Sequence, residues 1–214
     1  AFRQWVLSYP RKLRLLLACH PAAAAESTRI FLTEVFRWQR KRARGMGLSK
    51  PRVGAVSFAQ RFGSRLNLHF HHHALLPDGV FVEGEEGLRF EKLLRPRSEE
   101  LETLLLRIAK KTVAMAHRRG LLDASPEEDS LFSMQLEAVQ ATLPLPSWPA
   151  PKKGLSAFLE GFSLEAGTHV HENDRAGLEH LCRYGLRSPL ALSRMSRAPD
   201  GRVVLRLRRP MHDG

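Results

Sequence analysis

The stretch LNLHFHHHALLPDGVF, residues 66–81, decides how this chain is read. Its Leu, Phe, Ala and Val residues read as a buried strand that closes on the Pro77-Asp78-Gly79 turn. Set into that strand are four of the chain's ten histidines: His69, His71, His72 and His73. Side chains along a strand alternate between faces, so His69, His71 and His73 share one face while Phe70 and His72 point the other way. Two imidazoles at i and i+2 can grip a single divalent ion. A third donor must then come from elsewhere. The candidates are Gln60 on the preceding candidate strand, His69 itself, Glu165, and His169 or His171 in THVHE (168–172). The competing reading is an incidental run of histidines on a sheet edge, since a bare His-x-His pair is a weak signal.

RVGAVSFAQRFG (52–63) alternates loosely and reads as the antiparallel partner of the histidine strand. VFVEG (80–84) continues as a third strand, and Glu83, Glu85 and Glu86 read as loop residues rather than ligands. Upstream, FRQWVLSYP (2–10) reads as a strand closed by Pro10, and RKLRLLLACH as a short apolar helix or turn. AAAAESTRIFLTEVFRWQRKRARGMG (22–47) is the clearest helix, with an apolar stripe, a strongly basic end and Gly45 as its stop. Residues 98–119 form a second amphipathic helix, 127–141 a third, and ATLPLPSWPAPKKG (141–154) an irregular linker. LEGFSLEAGTHVHE (159–172) reads as one strand, NDRAGLEHLCRYGLRSP (173–189) as a helix capped by Asn173 or Asp174, and GRVVLRLRR (201–209) as a strand. The fold class expected is α+β, an antiparallel sheet with flanking helices. Residues 1–143 form the core, 144–154 a linker, and 155–214 complete the same domain.

Composition narrows the function. At 214 residues and 43% hydrophobic content, the chain can bury one sizeable core. Its net charge of +12 is concentrated at the two ends. Residues 1–52 carry twelve Lys and Arg against Glu26 and Glu34, and residues 183–209 carry eight Arg against Asp200. Basic ends around an acidic middle point to a polyanion, with nucleic acid favoured over solvated helix faces. Arg37, Arg40, Lys41, Arg42 and Arg44 are candidate phosphate contacts, and Trp38 beside them could stack one base. Aromatic residues make up only 7%, too few for extensive base stacking. Cys19 and Cys182 form no Cys-x-x-Cys pair, which excludes a zinc ribbon or a disulfide framework and suggests a reducing compartment. No signal peptide or membrane-length apolar run is evident. The ends, Ala1 and Pro210-Met211-His212-Asp213-Gly214, read as those of a fragment.

Five blocks in order carry a resemblance: RQWVLSYPRKLR (3–14), QRFGSRLNLHFHHHALLPDGVF (60–81), GFSLEA (161–166), LCRYGLRSPLALSRM (181–195) and DGRVVLRLRRP (200–210). Together they resemble the catalytic region of bacterial rolling-circle transposases of the insertion-sequence ninety-one type. That family lies within the HUH ("His, hydrophobic, His") single-strand DNA endonucleases. The resemblance implies a sheet with the histidine strand at its centre. It implies that His71 and His73 bind a divalent metal, Mg or Mn with Zn acceptable, assisted by Gln60. His72 stands where the family usually has a bulky hydrophobic residue. The cysteine-rich region that usually precedes the first block is not present in this sequence.

The resemblance also implies a tyrosine nucleophile. Tyr9 and Tyr184 are the two tyrosines of the chain, and Tyr184 falls in the block matching the catalytic helix. Two-tyrosine members place a second tyrosine one helical turn earlier, where this chain has His180. The expected activity is nicking and joining of single-stranded DNA at transposon ends through a 5′-phosphotyrosine, in the bacterial cytoplasm or on the nucleoid. Arg183 and Arg187 flank Tyr184 and suit phosphate. Two alternatives remain: a non-catalytic DNA-binding remnant of such a transposase, and a metal hydrolase without a tyrosyl intermediate.

Overall fold

The computed structural model describes residues 1–63, 67–122, 154–186 and 195–206. The expected helix at 127–141, most of the Pro-rich linker and Arg187 lie outside them. Strand β1 (Phe2–Ser8) leads through Pro10 into α1 (Arg11–Cys19), and α2 (Pro21–Gly45) follows at once. Pro21 sits in the first turn of α2, where its missing N–H costs nothing. Strands β2 (Val56–Phe62), β3 (Leu68–Pro77), β4 (Gly79–Gly84) and β5 (Gly87–Lys92) precede α3 (Ser98–Arg118). Glu100 caps α3 by accepting the Arg97 N–H at 2.8 Å. After residue 153 come β6 (Ser156–Leu159), β7 (Phe162–Glu165), β8 (His169–Val170), α4 (Arg175–Gly185), β9 (Met195–Arg197) and β10 (Val203–Leu205).

The main sheet runs β2-β3-β1-β7-β6 and is antiparallel throughout, with β8 also paired to β1. The histidine strand β3 is therefore internal, as expected of a central strand, with β1 beside it at the middle of the sheet. The expected third strand, β4, pairs with β5 in a separate ribbon instead of extending the sheet. The single strand expected over 159–172 is in fact three pieces. Glu160 and Gly161, at φ of 45° and 82°, form a two-residue turn between β6 and β7, the backbone that suits a tight hairpin. Of the strand expected over 201–209, residues 207–209 lie outside the described residues, and the described part contains the short β10, which pairs with β9 in a separate two-stranded sheet.

The two faces of the sheet differ in chemistry. On one, Trp5, Leu7, Phe70, Ala74, Leu76, Ala157 and Leu164 join Leu13 and Leu17 of α1, Phe31 and Val35 of α2, and Leu101, Leu105 and Ile108 of α3 in one buried core. Each such large side chain stabilises the fold by about 1.5–3 kcal/mol. His72 points into this core, fully buried, with its Nε2 3.0 Å from Ser27 Oγ and its ring edge-on to Tyr9. The opposite face carries Gln4, Val6, Ser8, Phe58, Gln60, His69, His71, His73, Ser163 and Glu165, all brought together by cross-strand register. An alternating strand with polar residues on one face and apolar ones on the other produces this division without further instruction.

Candidate active site

On the polar face, His71 pairs with Ser8 of β1 and Gln60 of β2, and His73 with Val6 and Phe58. Directly paired residues share a face, so Gln60 stands beside His71. The His71 and His73 rings lie 4.8 Å apart between centroids, and those of His69 and His71 4.7 Å apart. His71 Nδ1 lies 2.5 Å from the carbonyl oxygen of His69. A carbonyl only accepts, so this nitrogen donates and Nε2 keeps its lone pair. The Gln4 amide nitrogen donates to His73 Nδ1 at 2.8 Å, and His73 Nε2 is buried without a partner. Turning the Gln4 amide end for end would make Nδ1 the donor and present the lone pair of Nε2 instead.

Burial, reinforced by the neighbouring imidazoles, pushes His73 down to about 4 and His69 to about 3, and burial lowers His71 as well. These rings are neutral at physiological pH, the state in which imidazole binds metal. With the Gln4 amide so turned, neutral rings at strand spacing, an orphaned buried Nε2 and an adjacent amide fit a divalent cation. Among the described residues, however, no three of His, Cys, Asp and Glu gather as a metal centre. His71, His73 and Gln60 would have to hold the ion, with solvent or substrate oxygens completing its shell. His169 is turned away, 3.2 Å from Asp78, and pairs with Arg3 at the far end of β1. Glu165 is separated from His73 by β1, since both pair with Val6.

Tyr184 reaches the same place from α4. The helix begins at Asp174, whose side chain accepts the Gly177 N–H at 2.7 Å, and ends at Gly185. A Cβ on Gly185 would come within 2.5 Å of the Phe58 ring, so glycine lets the helix end lie against β2. Gln60 Nε2 donates to the carbonyl oxygen of Tyr184 at 3.3 Å. The Tyr184 ring then stands edge-on to that of His73, with centroids 5.7 Å apart, and is 44% exposed. Tyr9 is fully buried among Phe70, His72 and Phe162, and burial raises its phenol far above the usual range. Of the two tyrosines, Tyr184 is thus the exposed one.

Two residues of this region escape a reading by motif. Gln4 holds His73, yet only the β1–β3 register brings it there. Arg14 of α1 donates Nε to the Tyr9 carbonyl at 2.5 Å, and its charge helps depress His69 and His71. The signal for Arg14 in the sequence is a lone cation between the apolar residues of LRLLL (13–17).

The basic end of α2 does not join this group. The helix packs on the core face, where Ser27 and Phe31 meet His72. Arg37 is bonded to Glu34, and Arg42 donates to both oxygens of Glu100 at 2.7 and 2.6 Å while lying over the Trp38 ring. Trp38 also packs edge-on to Trp5 and donates to Glu100, so its ring is engaged within the fold. Arg40 lies over Phe36, and Lys41 and Arg44 are exposed. Arg183, beside Tyr184, is paired with Glu179 one turn earlier at 2.6 Å. His180 is exposed on the same helix.

No helix among the described residues is long and apolar enough to cross a membrane. No curated protein and no solved structure matches the chain. A family model described as "Putative transposase" matches residues 54–214, a span that includes Gln60, the histidine strand and the tyrosine helix. The chain belongs to that transposase family.

Proposed function

We propose that this chain nicks and rejoins single-stranded DNA at transposon ends, with Tyr184 as nucleophile and with His71, His73 and Gln60 holding a divalent cation, Mg or Mn. The observation that carries this reading is the meeting of the exposed Tyr184 ring with His73, whose Nε2 is buried and unpartnered. Sequence-distant residues of the two kinds that such chemistry needs converge on the polar face of one sheet.

Tyr184 Oη attacks the scissile phosphorus, the bond from phosphorus to the 3′ oxygen breaks, and the phenolic proton passes to solvent. The leaving 3′ oxygen is protonated to a hydroxyl, and the 5′ phosphate stays esterified to Tyr184. A bound cation offsets the charge that develops on the phosphate oxygens. Gln60 steadies the end of α4 through the Tyr184 carbonyl, so the amide beside the metal position also orients the nucleophile. Attack by a 3′ hydroxyl on the phosphotyrosine reverses the step and needs no nucleotide cofactor. With His180 one turn before Tyr184, a single tyrosine serves, and cleavage and joining occur in sequence. Arg183 and Arg187 are the nearest candidate phosphate contacts in sequence, while Arg40, Lys41 and Arg44, with Arg37 and Arg42 as the paired members of that cluster, would meet DNA beyond the site.

The test is covalent capture. The chain is mixed with Mn and labelled single-stranded oligonucleotides and resolved on a denaturing gel beside Tyr184→Phe and a His71→Ala/His73→Ala double variant. A shifted band in the parent chain alone is expected. A band that persists in Tyr184→Phe overturns the assignment of the nucleophile. Intact DNA binding with no band favours a binding module descended from a transposase.

A further inference from the structure

The same face of the sheet carries a hollow of about 220 Å³ on the far side of β1 from His71, lined by Gln4, Val6, Ser156, Phe158, Glu165 and Thr168 among others. We infer that this hollow takes one unstacked nucleobase of the bound DNA strand, read by Glu165, and that guanine is the base it fits; the inference rests on the proposed single-strand substrate.

Position comes first. Val6 pairs with His73 on one side and with Glu165 on the other, so Glu165 lies two strand spacings from His73, about 10 Å. That distance suits a nucleotide flanking the scissile phosphate. Gln4 both bonds His73 and lines the hollow, so the two sites share a wall. The volume falls below the roughly 300–1,000 Å³ of pockets for drug-sized ligands and leaves room for a single base.

Charge and chemistry decide what enters. Glu165 is exposed, and among the described residues it makes no ion pair, although the chain carries a net charge of +12. A carboxylate repels phosphate, so the sugar–phosphate chain is held outside and the base is turned inward. An ionised carboxylate only accepts hydrogen bonds, and its two oxygens suit two parallel donors. Guanine alone among the four DNA bases presents two adjacent N–H donors, N1 and N2, on its Watson–Crick edge. Phe158, 41% exposed, offers a ring against which a base can stack, and Val6 adds an apolar wall.

The experiment is equilibrium binding of the full chain, by fluorescence anisotropy without added metal. The probes are an all-thymidine oligonucleotide and a set with one guanosine moved along it. One register is expected to bind about tenfold tighter than all-thymidine, as for a single specific base contact. Deoxyinosine at that register, which lacks the N2 amino group, loses part of the gain. Glu165→Gln removes the preference while all-thymidine binds as well or better, and Ser156→Tyr removes it by filling the hollow. Equal binding of every register, or a preference unchanged in Glu165→Gln, overturns the inference. Covalent capture at Tyr184 is read separately. A base preference without an adduct sinks the catalytic reading alone, and an adduct without a preference sinks the base site alone.

Discussion

The Tyr184 ring stands at 78° to the His73 ring with 5.7 Å between centroids, and the two reach each other from different ends of the fold. His73 is held by its place in β3 and by Gln4. Tyr184 is held much less firmly, since no side chain of α4 is buried and the helix end rests on Phe58 and Gln60. A side chain on a lightly docked helix can move without disturbing the core, because segments with little buried apolar surface open at low cost, and the proposed role of Tyr184 as nucleophile calls for such movement.

Gly185→Ala tests that docking. The new Cβ must push against the Phe58 ring from 2.5 Å, so α4 shifts while the core remains intact. Thermal stability is expected to change little, and the rate of adduct formation at Tyr184 to fall by up to about a hundredfold, the cost of an ångström-scale misplacement. Unchanged kinetics would show that this packing does not set the position of Tyr184.

Gln4→Leu removes the hydrogen bond to His73 Nδ1 and leaves that nitrogen buried without a partner. Partners that orient a metal-bound imidazole are worth about 10–100-fold in metal affinity. A loss of that size is expected in a Mn titration followed by electron paramagnetic resonance. Equal affinity in both proteins would mean that the Gln4 contact at Nδ1 does not govern metal binding through His73 Nε2.

His72→Leu concerns the core side of the same strand. Burial lowers His72 from its ordinary 6.5 to about 3, so the folded chain holds it neutral and the unfolded chain protonates it. Unfolding therefore takes up a proton between these values, and stability falls as pH drops from 6.5 toward 3. His69 and His73 act in the same direction. Removing one such group should flatten the dependence by about 1.4 kcal/mol per pH unit around pH 5. Denaturant unfolding at several pH values measures the slope, and an unaltered slope would place the His72 ring in contact with solvent.

The basic residues of α2 separate into two groups. Arg40→Ala, Lys41→Ala and Arg44→Ala together should reduce the salt dependence of single-strand binding by about 0.7 in log–log slope for each phosphate that is no longer neutralised. Arg42→Ala should instead lower thermal stability, because it strips Glu100 and Trp38 of their shared partner. An unchanged salt slope in the triple variant would remove this helix from the DNA path.

The alternation of LHFHHHAL by itself determined that His71 and His73 share a face and that His72 lies on the other. The antiparallel pairing of β2 with β3, the long α2 and the Asp174-capped helix bearing Tyr184 were equally legible, because periodicity, caps and turn residues are local properties. The hairpin within 156–165 was not legible, since Glu160-Gly161 is a weak turn signal. Only the tertiary structure decided that Gln60 stands beside His71, that Gln4 holds His73, that Tyr9 is core while Tyr184 meets His73, and that Arg37 and Arg42 are ion-paired. Register between strands and the docking of a helix on a sheet depend on interactions between residues far apart in the chain. No local pattern states which of several polar residues will be carried to the same place.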